Sequence, residues 1–418
     1  MTQTRASRLT SQSSRGRPLD VPRRTLLRAA AAVAAAAATG WGLTRWLRPD
    51  EPPDAATLLR REQVITPRGV HDTEYESASP ALDTTFDLRR AVFVSYHDKD
   101  AVYETNSFAG GSSEHQKNFR PIHIGHDSPA AGVALVGGVV RGDQPHLLPW
   151  IRMKYGQDIQ DDTDAWIDAG SPPSMDPYRH IVRNANQDGD PRLYVAPGSW
   201  AVVDGLRVHN THDGLGLYGV HDADGAGVVY VRNCWFREIH DDAIENDEWQ
   251  ELRVNDCLFE RVYSLLSLRP SRPELQRARK SRTTQWIEGC TVQLWPFPGG
   301  HRQRSTSSNH ERAFKVDDNS PRLRVVNTVI LASQFISTAA AAVPERITDR
   351  GDLVTDVYQG VTIVWQGPGR YPGNVPDGCT VTTNRAVYDD AVADWRRRHG
   401  VTSFEDVDVA RLLSPVSH

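Results

Sequence analysis

The sequence has few cysteines and no metal-binding arrangement of them. Only four of its 418 residues are cysteine, and no two of them form a Cys-x-x-Cys pair. A structural zinc site needs such paired thiolates or histidines at ligand spacing, so the pattern argues against one. Cys234, Cys257 and Cys290 fall at one position of a repeat described below. We therefore expect these three to be buried free thiols that pack as small apolar side chains.

The sequence also lacks an apolar run long enough to cross a bilayer. Its most apolar stretch, AAAAVAAAAATGWGL, follows Arg28 and has 15 residues, whereas a spanning helix needs about 20. The basic segment before it contains Arg23 and Arg24, and together they resemble a bacterial twin-arginine signal. We predict that residues 1–48 direct export, that the protein is secreted or held at the cell surface, and that only this segment contacts a membrane.

Acidic residues outnumber basic residues outside this leader. Of 48 Lys and Arg and 53 Asp and Glu, nine Arg and one Asp lie in residues 1–48, which leaves 39 basic against 52 acidic residues in the remainder. Such a surface disfavours nucleic acid as a partner. Insertions such as Pro270–Thr284 are nevertheless locally basic. These insertions favour an anionic ligand on an otherwise acidic body.

Six segments share a short pattern of alternating apolar and polar residues. They begin at Val203, Val231, Val254, Ile287, Val325 and Tyr358. Their third position is Gly, Asn or Asp, residues that tolerate left-handed backbone. Their fourth is a small or medium side chain suited to stacking. A constant unit separated by loops of variable length is typical of a solenoid, in which each position of the unit becomes a column.

This repeat resembles the parallel β-helix shared by pectate lyases, polygalacturonases, alginate lyases and phage tailspikes, over about Val133–Asn384. The resemblance implies an all-β fold, a right-handed single-stranded parallel β-helix, and we expect a monomer. We predict a signal or anchor at 1–48, a linker and N-terminal cap at 49–125, the β-helix at 126–385, and a C-terminal capping helix and tail at 386–418.

A second strand after each repeat aligns polar side chains. In register, one column contains Gly216, Glu245, Ser267 and Lys315, and the next contains Tyr218, Asp247, Arg269 and Asp317. Neighbouring coils lie about 4.8 Å apart, so carboxylates and cations in these columns would come within contact distance. The turns before these strands add His212, Asp213, His240, Asp241 and Asp242 at equivalent places.

These columns resemble the sites of β-helix polysaccharide lyases. The resemblance implies cleavage of an acidic, uronate-containing polysaccharide by β-elimination, and this is the leading functional prediction. Glu245 and Asp247 would be ligands of a calcium ion, the candidate cofactor. Lys315 would act as base and Arg269 as acid or carboxylate clamp. The candidate substrate-binding residues are His212, Asp213, Tyr218 and Asp317.

Two motifs also resemble the polygalacturonases, which are glycoside hydrolases. They are Asn210-Thr-His-Asp-Gly214 and Asp241-Asp242-Ala-Ile244. This resemblance implies that Asp241 and Asp242 protonate the leaving oxygen and activate water, with His240 as a further acid–base candidate. A third alternative is a glycan-binding or surface β-helix without catalysis, in which stacked opposite charges neutralise one another.

Overall fold

The computed structural model describes residues 52–71, 74–95, 121–142, 191–211, 213–219, 226–269, 283–294, 312–316, 320–333, 342–344 and 356–402. The predicted export signal, His212, Asp317, most of the basic insertion at 270–284 and the side chain of His240 lie outside this part of the chain. The chain divides into two compact units, Met1–Pro52 and Pro53–His418, and every element below belongs to the second. No helix in the described ranges has the length and apolarity that membrane crossing requires.

Parallel strands form two long sheets. The first has the order β1 (Val64–Ile65), β4 (Thr85–Asp87), β7 (Val133–Val136), β10 (Trp200–Asp204), β13 (Val228–Arg232), β15 (Glu251–Asn255), β17 (Thr284–Glu288), β20 (Arg322–Val326) and β22 (Val357–Gln359). The main path of the second is β2 (Gly69–His71), β5 (Ala91–Ser95), β8 (Val139–Gly142), β11 (Arg207–His209), β14 (Trp235–Glu245), β16 (Leu258–Ser267), β18 (Thr291–Leu294), β21 (Val329–Ala332), β23 (Val361–Trp365) and β24 (Cys379–Thr382).

The second sheet carries a branch that positions the candidate site. Its strands are β3 (Tyr75–Ser77), β6 (Ile122–Ile124), β9 (Arg192–Val195) and β12 (Gly216–Gly219), which pair in that order and join β14. On the far side of β14, β19 (Arg312–Lys315) pairs with β16. Successive coils therefore add one strand to each sheet, and the molecule is an all-β parallel β-helix, as predicted.

The observed register confirms the predicted repeat. Val203 pairs with Val231, and the same column continues through Val254, Ile287, Val325 and Tyr358. The third residue of every copy has left-handed backbone, with φ between 46° and 72°. This conformation turns the chain from the first sheet into the second, which is why the position holds only Gly, Asn or Asp.

The core is built from columns of identical repeat positions. Cys234, Cys257 and Cys290 are buried free thiols, and the backbone N–H of Cys234 donates to Cys257 Sγ at 3.4 Å. Burial raises the pKa of the Cys257 thiol well above its usual range. Phe236 and Phe259, on neighbouring strands, stack with ring centroids 5.0 Å apart. The predicted role of the three thiols as packing groups is confirmed.

Two helices in the described part of the chain lie outside the sheets. Helix α1 (Ala55–Leu58) starts at Asp54, whose side chain accepts from the N–H of Thr57. Helix α2 (Ala386–Arg398) buries Tyr388, Val392 and Trp395. These three belong to one apolar cluster with Trp235 and Leu258 of the second sheet, so α2 packs along the face of that sheet.

The coils begin before the predicted boundary at residue 126. Strands β1 to β6 lie within the segment predicted as linker and cap, and they pair in parallel with the strands that follow. Phe86, for example, pairs with Leu135 and is fully buried. Strands β1 to β6 therefore extend both sheets.

Candidate functional site

The predicted column of second strands exists in the structure. Gly216 pairs with Glu245, Glu245 with Ser267, and Ser267 with Lys315. Three residues earlier, Asp242 pairs with Ser264 and Ser264 with Arg312. The sheet shifts register between Ile239 and Asp242, and such a bulge changes the direction of the following side chains. Two rows of polar residues therefore cross the same three strands.

Lys315 is buried and lies between two carboxylates. Its side chain is 7% exposed, and its Nζ donates to Asp242 Oδ2 at 2.9 Å and to Asp241 Oδ1. Burial by itself would lower the pKa of Lys315, but the charges of Asp241 and Asp242 and the hydrogen bonds to both raise it above its ordinary value. The ammonium form is therefore stabilised. A catalytic base requires the opposite shift.

A third carboxylate completes this group. Asp213 Oδ1 accepts from the backbone N–H of Asp242 at 3.0 Å, which links two consecutive coils. One carboxylate oxygen from each of Asp213, Asp241 and Asp242 lies within 4.8 Å of the others, so this triad could hold a metal ion. The predicted ligands Glu245 and Asp247 form no such group among the described residues.

The buried environment of Asp242 strongly perturbs its carboxyl. Burial raises its pKa well above the usual range, Lys315 opposes this shift, and the charges of Asp241 and Asp213 add to it. Its Oδ1 is buried and has no hydrogen-bond partner, and the same is true of Oγ of Ser264 beside it. Buried polar atoms in native proteins are almost always paired. Two orphaned oxygens on adjacent strands therefore mark a place where a ligand can supply the missing bonds.

Glu245 and Asp247 form a more exposed pair next to the triad. The Tyr218 hydroxyl donates to Glu245 Oε2 at 3.0 Å. Asp247 Oδ1 accepts from Ser267 Oγ at 2.7 Å and from the backbone N–H of Arg269 at 2.8 Å. Burial, followed by the charge of Glu245, raises the pKa of Asp247 to about 8 despite these hydrogen bonds. At neutral pH, Asp247 is consequently a largely protonated carboxyl beside Glu245.

Two arginines lie at the other end of the polar rows. Burial lowers the pKa of Arg312, and the positive charge of Arg269 lowers it further. Like charges brought together in a partly buried place favour an anion between or beside them. Arg192 lies over the ring of Tyr218 at 4.9 Å, and that ring stacks on Tyr194 with centroids 5.0 Å apart. Cationic and aromatic groups thus flank the carboxylates.

The structure brings most of the predicted site residues together. Lys315, Asp213, Asp241 and Asp242 form one cluster. Tyr218, Glu245, Asp247 and Arg269 lie on or just after the neighbouring strands β12, β14 and β16. Ser264, Arg312 and Tyr194 also lie at this site and were not predicted from the sequence. The register that aligned Ser267 with Lys315 would have located Ser264 and Arg312, because both lie three residues earlier on the same strands.

These contacts also correct the expected setting of Lys315. The sequence predicts a column that places Lys315 with Glu245 and next to Asp247, but its ammonium contacts Asp241 and Asp242 and its side chain is buried. The ammonium is attracted to the two carboxylates, so the long lysine side chain points towards them and not straight out from the sheet.

Comparison of the chain with models of protein families, with curated proteins and with solved structures gives no match in any of the three.

Proposed function

We propose that the protein is an exported glycan-degrading enzyme that hydrolyses an acidic polysaccharide. The observation that carries the proposal is the arrangement of Lys315 with Asp241 and Asp242. Glycosidic hydrolysis needs one carboxyl that keeps its proton and another that stays ionised beside it. The triad supports both states within a few ångströms.

Asp242 is the general acid in this proposal. Burial raises its pKa, which favours the protonated form that a general acid needs, and its unpaired Oδ1 can present that proton to the glycosidic oxygen. Asp241 stays ionised because it pairs with the ammonium of Lys315, and it accepts a proton from the attacking water. The proton that Asp242 gives to the leaving sugar is thus balanced by the one that Asp241 takes, and Asp213 holds the backbone of Asp242 in place.

The environment of Lys315 favours hydrolysis over β-elimination. The predicted lyase mechanism uses Lys315 as base, which would require a lowered pKa, but its ion pairs shift the pKa upward. In the hydrolytic proposal Lys315 remains a cation throughout. It fixes the positions of Asp241 and Asp242 and sets the charge of Asp241.

Calcium fits this group of residues poorly. The ion takes six to eight oxygen ligands, whereas the triad offers three carboxylates and two of these already bind the ammonium of Lys315. Calcium would have to displace a buried cation from the same oxygens. We therefore propose the reaction without calcium.

The flanking residues suit an anionic sugar. Arg269 and Arg312 repel each other, and a uronate carboxylate would relieve that repulsion through charge-assisted hydrogen bonds. Tyr194 and Tyr218 offer a stacked aromatic surface to sugar rings. The overall negative charge of residues 49–418 argues that recognition depends on these local cations.

The proposal is tested by incubating the protein with a panel of uronate-containing polymers and measuring reducing ends and the absorbance of unsaturated ends separately. We expect reducing ends without unsaturated product. Asp242→Asn should lower the rate at least about 100-fold, as loss of a general acid does. Asp87→Asn is a matched control, because Asp87 is a buried aspartate that pairs with Arg89 in an N-terminal coil.

Two outcomes would overturn the proposal. Unsaturated ends would show that the protein is a lyase. Binding without cleavage across the whole panel would favour a glycan-binding β-helix.

A further inference from the structure

A second group of potential metal ligands lies on the same sheet branch, in an N-terminal coil. Glu76 of β3 and His123 of β6 are direct partners in the parallel register, and His126 follows β6 by two residues. One ligand atom from each of the three lies within 4.8 Å of the others. We propose that Glu76, His123 and His126 bind a divalent transition-metal ion of the zinc type.

The backbone brings the two histidines together. Gly125, between them, has φ of 81°, and a Cβ at this position would lie 2.9 Å from the carbonyl oxygen of Tyr194. The turn therefore requires glycine for its left-handed conformation and for its close approach to the neighbouring strand. It folds His126 back over His123, so that the rings stack with centroids 4.2 Å apart and an interplanar angle of 18°.

His123 is oriented as a metal ligand would be. It is 4% exposed, and its Nδ1 contacts Glu74 Oε1 at 2.8 Å. Its Nε2 is buried and has no hydrogen-bond partner. A carboxylate that holds one ring nitrogen fixes the tautomer and leaves the lone pair of the other nitrogen for an ion. A metal ion would satisfy this otherwise unpaired nitrogen.

His126 and Glu76 supply the other two ligands. His126 Nε2 lies 2.9 Å from Glu76 Oε1 and 3.2 Å from Asp127 Oδ1, and its Nδ1 is buried without a partner. The Glu76 side chain is 51% exposed, so it can turn from His126 towards an ion without disturbing the core. Tetrahedral ligation at about 2.1 Å places ligand atoms roughly 3.4 Å apart, so the three groups need to move by only about an ångström each.

The donor set selects the class of ion. Two imidazoles and one carboxylate suit Zn²⁺, Co²⁺ or Ni²⁺, whereas Ca²⁺ and Mg²⁺ prefer oxygen ligands.

The site is separate from the Asp213 triad. In the register, His123 pairs with Arg192, Arg192 with Gly216 and Gly216 with Glu245. His123 and Glu245 are therefore three strand spacings, or about 14 Å, apart. The ion would link β3 to the turn after β6, and its binding does not depend on the proposed hydrolysis.

The test is a titration of the full-length protein, stripped with a chelator, with Co²⁺ followed by Zn²⁺. We expect one Co²⁺ per chain with the visible absorption of a tetrahedral site, displacement by Zn²⁺, and a higher midpoint of thermal unfolding with Zn²⁺. Glu76→Gln and His126→Gln change partly exposed ligands and should each weaken binding at least about tenfold. Glu74→Gln, which changes the group behind His123, should weaken it about 10- to 100-fold.

A matched control is His399→Gln, since His399 also contacts a carboxylate, that of Asp256 at 3.1 Å, but has no second histidine beside it among the described residues. This variant should bind Co²⁺ as the wild type does. The proposal fails if the wild type binds no Co²⁺ at millimolar concentration. It also fails if Glu76→Gln and His126→Gln retain full affinity, or if Ca²⁺ competes as well as Zn²⁺.

Discussion

Replacing Lys315 by methionine removes a cation that contacts both Asp241 and Asp242 while keeping an unbranched side chain of similar length. The site is buried, with the three side chains 6% to 12% exposed. Removal of one partner from a buried ion pair costs about 3–5 kcal/mol, because the remaining charge is left without compensation. We expect Lys315→Met to lower the free energy of unfolding by this amount at pH 7.

The loss should depend on pH in a defined direction. Without the ammonium, Asp241 and Asp242 are left buried with no compensating charge, so burial and their mutual repulsion favour protonation in the folded variant. The folded protein then binds more protons than the unfolded chain in the window above the unfolded pKa of about 4. Stability is therefore lost as pH rises through that window, and Lys315→Met should recover part of its deficit between pH 7 and pH 5.

Denaturant unfolding followed by tryptophan fluorescence at pH 7 and pH 5 measures both effects. Arg385→Met is the control, because Arg385 forms an exposed ion pair with Asp389 at 2.9 Å that is worth about 0–1 kcal/mol. Adding Asp241→Asn to Lys315→Met should restore part of the stability, since one uncompensated charge is removed. A cost below about 1 kcal/mol at pH 7, or a cost that does not change with pH, would refute the assigned environment of Lys315.

Three further predictions test other parts of the structure. The pKa of Asp247 is raised to about 8, so this carboxyl destabilises the fold increasingly from pH 4 to pH 8. In thermal melts, the free energy of unfolding of Asp247→Asn should therefore gain up to about 1.4 kcal/mol per pH unit over that of the wild type. Parallel curves of stability against pH for the two proteins would contradict this. Cys234, Cys257 and Cys290 should resist thiol reagents until the protein is denatured, and rapid native labelling of all three would mean that the core column is wrong. Asn327 has φ of 46°, so Asn327→Ala should cost about 1 kcal/mol in denaturant unfolding, whereas Asn327→Gly should cost less because glycine has no Cβ. Equal costs would contradict the left-handed turn.

The fold was predictable because each copy of its repeat is a short pattern that can be recognised in the local sequence. A parallel β-helix places each repeat position directly above the last, so an alignment of six short segments is already an alignment of strands in space. The column from Val203 to Tyr358 and the column from Gly216 to Lys315 both follow from it. The N-terminal coils were less evident because their strands are short, such as Val64–Ile65, and lie between long segments without the repeat.

The contacts within the site could not be predicted to the same degree. Register determines which Cα atoms are neighbours, but the direction of a long side chain depends on burial and charge. Lys315 lies in register with Ser267, yet its Nζ reaches Asp241 and Asp242 on the strand beyond. The bulge between Ile239 and Asp242 changes the direction of those carboxylates and allows Lys315 Nζ to contact them. No periodic pattern in the sequence predicts this bulge.

The most direct test of the central claim is mass spectrometry of the products formed from one defined acidic oligosaccharide that the protein cleaves. If Asp241 and Asp242 carry out hydrolysis, the masses of the two products together exceed that of the parent by one water, and Asp242→Asn forms them at least about 100-fold more slowly. Products whose masses add up to that of the parent alone, with one unsaturated end, would contradict the account, and so would equal rates for Asp242→Asn and the wild type.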